Sequence, residues 1–336
     1  MSMRRLFLLV ASFVLSVVLI AVLLRIGKID LRLTLQQVEK VSGIAFAKLV
    51  LLNVLIVLAS TEKWRSIDIA LRRSSDIVQS RATSFALTSA GLALGTVLPL
   101  QFAMATARTL GTYAHGSAIK RGTAGTLFEQ SFDVLTVCLL AVASGITRAL
   151  RGGGVMWATC AVVSTGLLFL MIGPSMRLIR RVGTRCTAKI GISWSRIAFV
   201  MERSSSLLDS DLLKPDLARR LAVLSVARFT ITVLMSYQTA AAIGVHIPLW
   251  QLAAATPFVF LASVVALTPG GLGINELTGA TALSLFGTPL AVSAEWAIVN
   301  RLLVTISYVV VALCAAAILL IGRVMSASSR DAVHDR

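Results

Sequence analysis

Residues 269–276 read Pro269-Gly-Gly-Leu-Gly-Ile-Asn-Glu276, and long apolar runs flank them on both sides. Glycine and proline interrupt helices, because glycine leaves the backbone unrestricted and proline lacks the N–H group that a helix uses. Inside a bilayer an interrupted helix and a carboxylate are both costly, and they are tolerated only where protein or a watery cavity receives them. We therefore predict a broken helix at membrane depth and a candidate binding site.

The composition of the whole chain is that of an integral membrane protein. Of 336 residues, 57% are hydrophobic and 14% are charged, and the mean hydropathy is +0.86. A soluble domain needs a more polar surface than this composition allows. The net charge of +17 comes from basic residues between the apolar runs, so attraction to anionic lipid headgroups explains it and no nucleic-acid partner is predicted.

The lengths of the apolar runs predict the architecture. Most runs suit one crossing of roughly 20 residues, but two are longer and contain glycine or proline breaks. We predict an all-α polytopic bundle in one domain, 1–336, with about six full spans and two re-entrant hairpins; eight full spans is the alternative. The runs are 6–24, 41–60, 82–110, 124–146, 155–173, 221–245, 249–286 and 302–322, and the hairpins are 82–110 and 249–286.

The distribution of basic residues predicts the orientation. The segment 174–220 is densely basic and is expected to be a cytoplasmic loop, since Lys and Arg concentrate inside. The N-terminus, 61–81, 108–123 and the polar tail 323–336 are then also expected on the cytoplasmic side of a cell (plasma or inner) membrane. The first half, 1–173, and the second half, 221–322, acquire opposite orientations, as in the inverted repeats of many transporters.

Charged residues within the apolar runs are candidates for function. Glu129 and Asp133 are four residues apart and share one helix face. A carboxylate at the bilayer centre costs roughly 2.5–3.5 kcal/mol on insertion scales, so the pair favours a cationic partner. The available cations are Arg108, Arg228 and Arg301.

No motif of an enzyme or a metal site accompanies these charges. The four cysteines form no CxxC pair, the three histidines lie far apart, and no nucleotide, hydrolase or protease motif occurs. We predict no cofactor, no bound metal and no enzymatic activity.

Three parts of the sequence resemble a known family. The Pro-Gly-Gly-Leu-Gly-x-x-Glu segment 269–276, with Asn300-Arg301-Leu302 opening the last span, is similar to the C-terminal signature of the lysylphosphatidylglycerol synthase transmembrane-region family, also called flippase-like membrane proteins. The segment 95–108 resembles its first conserved break. The segment 122–134 resembles its Glu-Arg-x-x-Asp helix, although Gln130 replaces the arginine, and residues 100–105 lack the glycines and acidic residue usual after the first proline.

The resemblance implies that the protein handles lipids. We expect a translocase that moves an anionic phospholipid or a polyprenyl-phosphate-linked lipid. Lipid aminoacylation is not expected, because in fused members it belongs to a separate soluble domain and this chain ends at Arg336. Two alternatives are a non-transporting scaffold for a partner enzyme of lipid or glycan synthesis, and a membrane enzyme acting on a lipid phosphate through a carboxylate.

The candidate site residues have distinct expected roles. The segment 269–276 is the second break, after the first break at 95–108. Its glycines allow backbone N–H groups to approach a phosphate at the start of a half-helix. Arg301 and Arg108 are expected to bind phosphate oxygens. Glu276 is expected to hold an arginine between substrates or to recognise a cationic headgroup. The predicted substrate-binding residues are Pro269, Gly270, Gly271, Gly273, Asn275, Glu276, Arg301, Arg108, Glu129, Asp133 and Arg228.

Overall fold

The protein is an all-α membrane bundle, as the sequence predicts. The computed structural model describes residues 3–27, 29, 31–70, 79–114, 119–170, 214–266 and 268–334, and within these ranges there are helices and short connections but no strands. Most of the basic segment 174–220 therefore lies outside the described residues.

Eleven α-helices occur in the described ranges. Three of them are long and apolar enough to cross a membrane: α3, α6 through Phe128–Ala149, and α11 through Leu290–Ile321. The bounds are α1 Met3–Gly27, α2 Leu31–Glu39, α3 Gly43–Ala70, α4 Arg81–Leu94, α5 Leu100–Ala114, α6 Ile119–Ala149, α7 Gly154–Leu170, α8 Pro215–Ala242, α9 Leu249–Val265, α10 Ile274–Leu285 and α11 Leu290–His334. The 28-residue α8 is as long as α3 but more polar.

The predicted hairpin at 82–110 consists of α4 and α5, which pack side by side in opposite directions. At roughly 1.5 Å per residue they measure about 21 and 22 Å, so neither alone crosses a core of roughly 30 Å. Glycine brings them close together: a Cβ added to Gly91 would lie 2.8 Å from the Met104 sulfur, and one added to Gly111 would lie 2.1 Å from Leu87 Cδ1. Pro99 precedes α5 and has no N–H with which to continue α4.

The predicted hairpin at 249–286 consists of α9, a 3₁₀ turn at Pro269–Gly271, and α10. The two helices measure about 25 and 18 Å at the same rise per residue, so they are also half-helices. Gln251 closes the open end of this hairpin, because its Nε2 donates to the Phe286 carbonyl at 2.9 Å and its Oε1 accepts from the Thr288 hydroxyl at 2.6 Å.

The two hairpins enter the bundle from opposite ends and meet at their tips. At one end of the bundle, Glu62 in the C-terminal third of α3 forms two ion pairs. Its partners are Arg81 at the start of α4 (3.7 Å) and Arg220 near the start of α8 (3.3 Å). The α8 helix then runs about 42 Å to the other end, where α9 begins. The break after α4 and the break after α9 are in direct contact, since a Cβ on Gly270 would lie 2.0 Å from the Thr96 oxygen.

Helix α3 extends further than the sequence indicated. The apolar run ends at Ser60, and the basic residues that follow were expected to lie in a loop between two spans; their location on the cytoplasmic side stays a prediction. Instead α3 continues to Ala70, and the Lys63 side chain is 0% exposed. The reason is tertiary: α8 and α6 pack over this part of α3, so its polar residues face protein rather than water or lipid.

The predicted orientation can be tested with reporter fusions. We expect a fusion within 174–220 to report a cytoplasmic location and a fusion directly after His246 to report the opposite side, because α8 separates the two points by its full length. The readout is the ratio of a periplasmic to a cytoplasmic reporter activity. Equal signals at the two positions would contradict both the orientation and the opposed hairpins.

Candidate functional site

The two hairpin tips are joined by one side chain. Arg301 of α11 donates from Nη2 to the Thr96 carbonyl at 3.0 Å and to the Gly270 carbonyl at 2.7 Å. Thr96 belongs to the first break and Gly270 to the second. Hydrogen bonds from a guanidinium are roughly twice as strong as bonds between neutral groups, so Arg301 holds the two breaks against each other.

The second break requires glycine for conformation and for space. Gly270, Gly271 and Gly273 have φ angles of 59°, 72° and 81°, in the left-handed region that other residues adopt at a cost. A Cβ on Gly273 would also lie 2.6 Å from Leu19 Cβ on α1. The glycines thus allow the tip to touch the first hairpin and α1 at once.

Three backbone N–H groups of this break already donate hydrogen bonds to acceptors within the break. Those of Gly271 and Leu272 donate to the Thr268 and Pro269 carbonyls, each at 3.0 Å. That of Gly273 donates to Glu276 Oε2 at 2.6 Å. A phosphate could use these predicted donors only after it had displaced their present partners.

Glu276 has two contacts that fix its position. Its Oε2 accepts the Gly273 N–H, which is the return bond of a capping box at the start of α10. Its Oε1 lies 3.5 Å from Arg301 Nε, and the residue is only 5% exposed. The predicted pairing of Glu276 with an arginine is therefore present. Asn275 lies beside it, against Gly271.

A second group of charged residues, which we call the ion cluster, consists of Lys63, Arg108, Glu129, Asp133 and Arg228. Asp133 accepts from Lys63 Nζ on Oδ1 and from Arg228 Nη1 on Oδ2, each at 2.5 Å. Arg108 donates from Nη1 to Glu129. The two carboxylates that share a face of α6 are thus each paired with a cation.

Aromatic rings and a backbone carbonyl complete the surroundings of these cations. Arg108 also donates to the Ser60 carbonyl at 3.2 Å, and its guanidinium lies 5.0 Å from the centre of the Trp64 ring. The Arg228 guanidinium lies 5.9 Å from the Phe260 ring of α9. Such cation–π contacts are attractive when water is excluded, so the cluster is stabilised by α3 and by both hairpins.

A cavity of about 30 Å³ lies beside the ion cluster, between the two hairpins. Its apolar wall comes from α5 and α9, and its polar wall from the cluster. This volume holds about one or two water molecules. The lining includes Leu100, Met104, Phe260, Val264, Gln130 and the four cluster residues Arg108, Glu129, Asp133 and Arg228.

The structure divides the predicted site residues between two places. Those of the second break lie with Arg301 at the hairpin tips, and Arg108, Glu129, Asp133 and Arg228 lie in the ion cluster. Within the described residues, no three His, Cys, Asp or Glu side chains come together as metal ligands.

Sequence reasoning missed Lys63 and the carbonyl of Thr96. Lys63 was assigned to a loop because it follows the end of the apolar run 41–60. The absence of glycine and proline from 61–70 was a signal that the helix continues. A backbone carbonyl is common to every residue, so no sequence signal could have identified Thr96.

The Gly270→Ala variant tests the contact between the tips. We expect a loss of at least about 2 kcal/mol in stability, because the new methyl group meets backbone and the φ angle is unfavourable. The measurement is the thermal unfolding temperature in detergent. The control is Gly145→Ala on α6, where an added Cβ meets nothing within 4 Å. Similar unfolding temperatures for the two variants would show that the tips are not in contact.

Comparison with known proteins agrees with the resemblance in the motifs. A family model described as lysylphosphatidylglycerol synthase TM region matches residues 9–325. No curated protein and no solved structure matches the chain. The matched region contains both hairpins, the ion cluster and Arg301, which is nearly the whole multi-pass bundle. The chain belongs to the lysylphosphatidylglycerol synthase transmembrane-region family.

Proposed function

We propose that this protein is a lipid translocase, which moves an anionic headgroup along the interface between the two hairpins while the lipid tails remain in the bilayer. One observation carries the proposal: Arg301 joins the carbonyls of Thr96 and Gly270, where two opposed hairpins meet. Opposed broken helices that meet near the midplane are the usual frame of a substrate site in secondary transporters.

Arg301 suits a headgroup phosphate because it can exchange partners. Carbonyl oxygens are neutral acceptors, and a phosphate offers charged oxygens that a guanidinium binds in a forked geometry. A phosphate that takes over the Nη2 donor removes the bond between the tips. The hairpins can then separate on the side from which the headgroup leaves.

Glu276 suits the state without substrate. A guanidinium without a counter-charge is costly in a membrane interior, and the Glu276 carboxylate lies 3.5 Å from it. The carboxylate also remains fixed by the Gly273 N–H, so it is ready to receive the arginine again when the headgroup has left.

A reconstitution experiment tests the function. Liposomes contain the purified protein and a fluorescent phosphatidylglycerol, and a membrane-impermeant reductant bleaches the outer leaflet. The lipid label in the inner leaflet is protected from the reductant. We expect this protected fraction of the fluorescence to fall faster than in protein-free liposomes, and faster for phosphatidylglycerol than for phosphatidylcholine. Unchanged protection for all lipids would refute translocation and favour a scaffold. A chemically altered lipid in the same vesicles would indicate an enzyme.

The proposal includes a location. We place the protein in the cell membrane with both termini in the cytoplasm. In this orientation the ion cluster lies between the hairpin tips and the cytoplasmic surface, because it is on the same side of the tips as Glu62 and Arg81. A cytoplasmic headgroup would therefore meet the ion cluster before it reached Arg301.

A further inference from the structure

Another cavity, which we call the end cavity, lies at the open end of the second hairpin, between the connections 243–248 and 286–289. Its volume is about 510 Å³, within the range of roughly 300–1,000 Å³ that is usual for ligand pockets. The length of α9, about 25 Å, separates it from the second break. The end cavity is therefore a different place from the hairpin tips and the ion cluster.

Hydrogen bonds hold both sides of the end cavity in place. The Val245 N–H donates to a carbonyl of α8 at 3.0 Å, and the Thr288 N–H donates to a carbonyl of α10 at 3.2 Å. Gln251 connects the two sides, because its backbone N–H donates to the Pro248 carbonyl at 2.9 Å and its side chain binds Phe286 and Thr288. A ligand that enters a cavity with fixed walls pays little for ordering the protein.

The polar side chains of the described lining, His246, Gln251 and Thr288, supply both donors and acceptors. The His246 ring is exposed, and a neutral imidazole has one N–H donor and one acceptor nitrogen. Gln251 uses one of its two amide N–H donors on the Phe286 carbonyl. The Thr288 hydroxyl donates its hydrogen to Gln251 and keeps lone pairs. A hydroxyl group, which also donates and accepts, matches this set.

The lining favours an uncharged ligand. Its described residues include no Asp, Glu, Lys or Arg, so a phosphate, a carboxylate or an ammonium group would lose water there without gaining a counter-charge. The remaining lining consists of glycine, proline and valine, whose C–H surfaces can pack against the apolar face of a ring.

We propose that the end cavity binds an uncharged ligand with several hydroxyl groups, such as a sugar ring or another polyol. The inference concerns a site of its own and does not depend on the proposed translocation. The side chains of Gln251 and Thr288 are fixed by each other, and Thr288 is only 6% exposed, so these two groups are preorganised for hydroxyls.

The test compares three soluble probes that share one ring. Purified protein in phosphatidylcholine nanodiscs, which avoid sugar-based detergents, is titrated with methyl glucoside, glucosamine and glucose 6-phosphate. Saturation-transfer NMR measures a dissociation constant for each probe, and empty nanodiscs give the blank. We expect methyl glucoside to bind at least about fivefold more tightly than either charged probe, a ratio equivalent to roughly one neutral hydrogen bond.

Three variants assign the binding to the end cavity. Val292→Trp fills part of the cavity and is expected to weaken binding of methyl glucoside by at least about tenfold. Val162→Trp places the same ring at a position of α7 that is 71% exposed and should leave the affinity unchanged. His246→Ala removes one hydrogen-bonding group from an exposed connection and is expected to weaken binding about fivefold. This last variant decides the matter if Val292→Trp does not fold.

The results that overturn the inference are separate from those that bear on translocation. Absence of methyl glucoside binding, equal affinity for the three probes, or tighter binding of a charged probe would refute an uncharged polyol as the ligand. Unchanged affinity in both Val292→Trp and His246→Ala would place the binding outside the end cavity and would also refute the inference. Lipid movement in liposomes tests the proposed translocation alone.

Discussion

Arg301→Ala is expected to abolish lipid transfer, with a loss of at least about a hundredfold, because the variant lacks the cation that joins both tips and that we assign to the phosphate. It also leaves the buried Glu276 without its cation, which costs roughly 3–5 kcal/mol. Transfer in liposomes and thermal unfolding in detergent are measured on the same preparations.

A double variant separates the two effects. Glu276→Gln keeps an acceptor for the Gly273 N–H and removes the charge, so Arg301→Ala with Glu276→Gln should recover most of the stability without recovering transfer. Arg219→Ala, which changes an arginine that is 65% exposed on α8, is the control and should change neither measurement. Transfer that recovers together with stability would assign Arg301 a structural role only.

Asp133→Ala is expected to cause the largest loss of stability in the ion cluster. The carboxylate has two cationic partners at 2.5 Å, Lys63 and Arg228, whose side chains are 0% and 12% exposed. Removing it leaves two buried cations without a counter-charge, and we expect a cost of at least about 3–5 kcal/mol. The measurement is the unfolding temperature in detergent, with the yield of folded protein as a second readout.

Asp216→Ala is the matched control for this variant. Asp216 also pairs with an arginine, Arg219, at 3.7 Å, but its side chain is 96% exposed. Exposed ion pairs contribute little because water screens them, so no measurable change is expected. If Asp133→Ala unfolded at the wild-type temperature, the ion cluster would not be a buried structural network.

Local features of the sequence were sufficient to predict an all-α membrane protein and the two places where its helices break. Apolar runs of known length predict membrane helices because the bilayer thickness is fixed. The glycines of 269–273 and Pro99 predict the two breaks because their effect on the backbone is local. The motifs also identified the family. The roles of the eleven predicted site residues in substrate binding stay predictions.

Contacts between distant residues were decided by the tertiary structure alone. Glu129 and Asp133 required cations, but many basic residues could have supplied them. The pairing of Asp133 with Lys63, 70 residues away, follows from the packing of α3 against α6. The contact of Arg301 with Thr96 spans 205 residues and uses a carbonyl group that every residue possesses. The amino-acid sequence thus determined where the helices break, because chain flexibility is a local property; only the packing of the bundle decided which groups meet at those breaks.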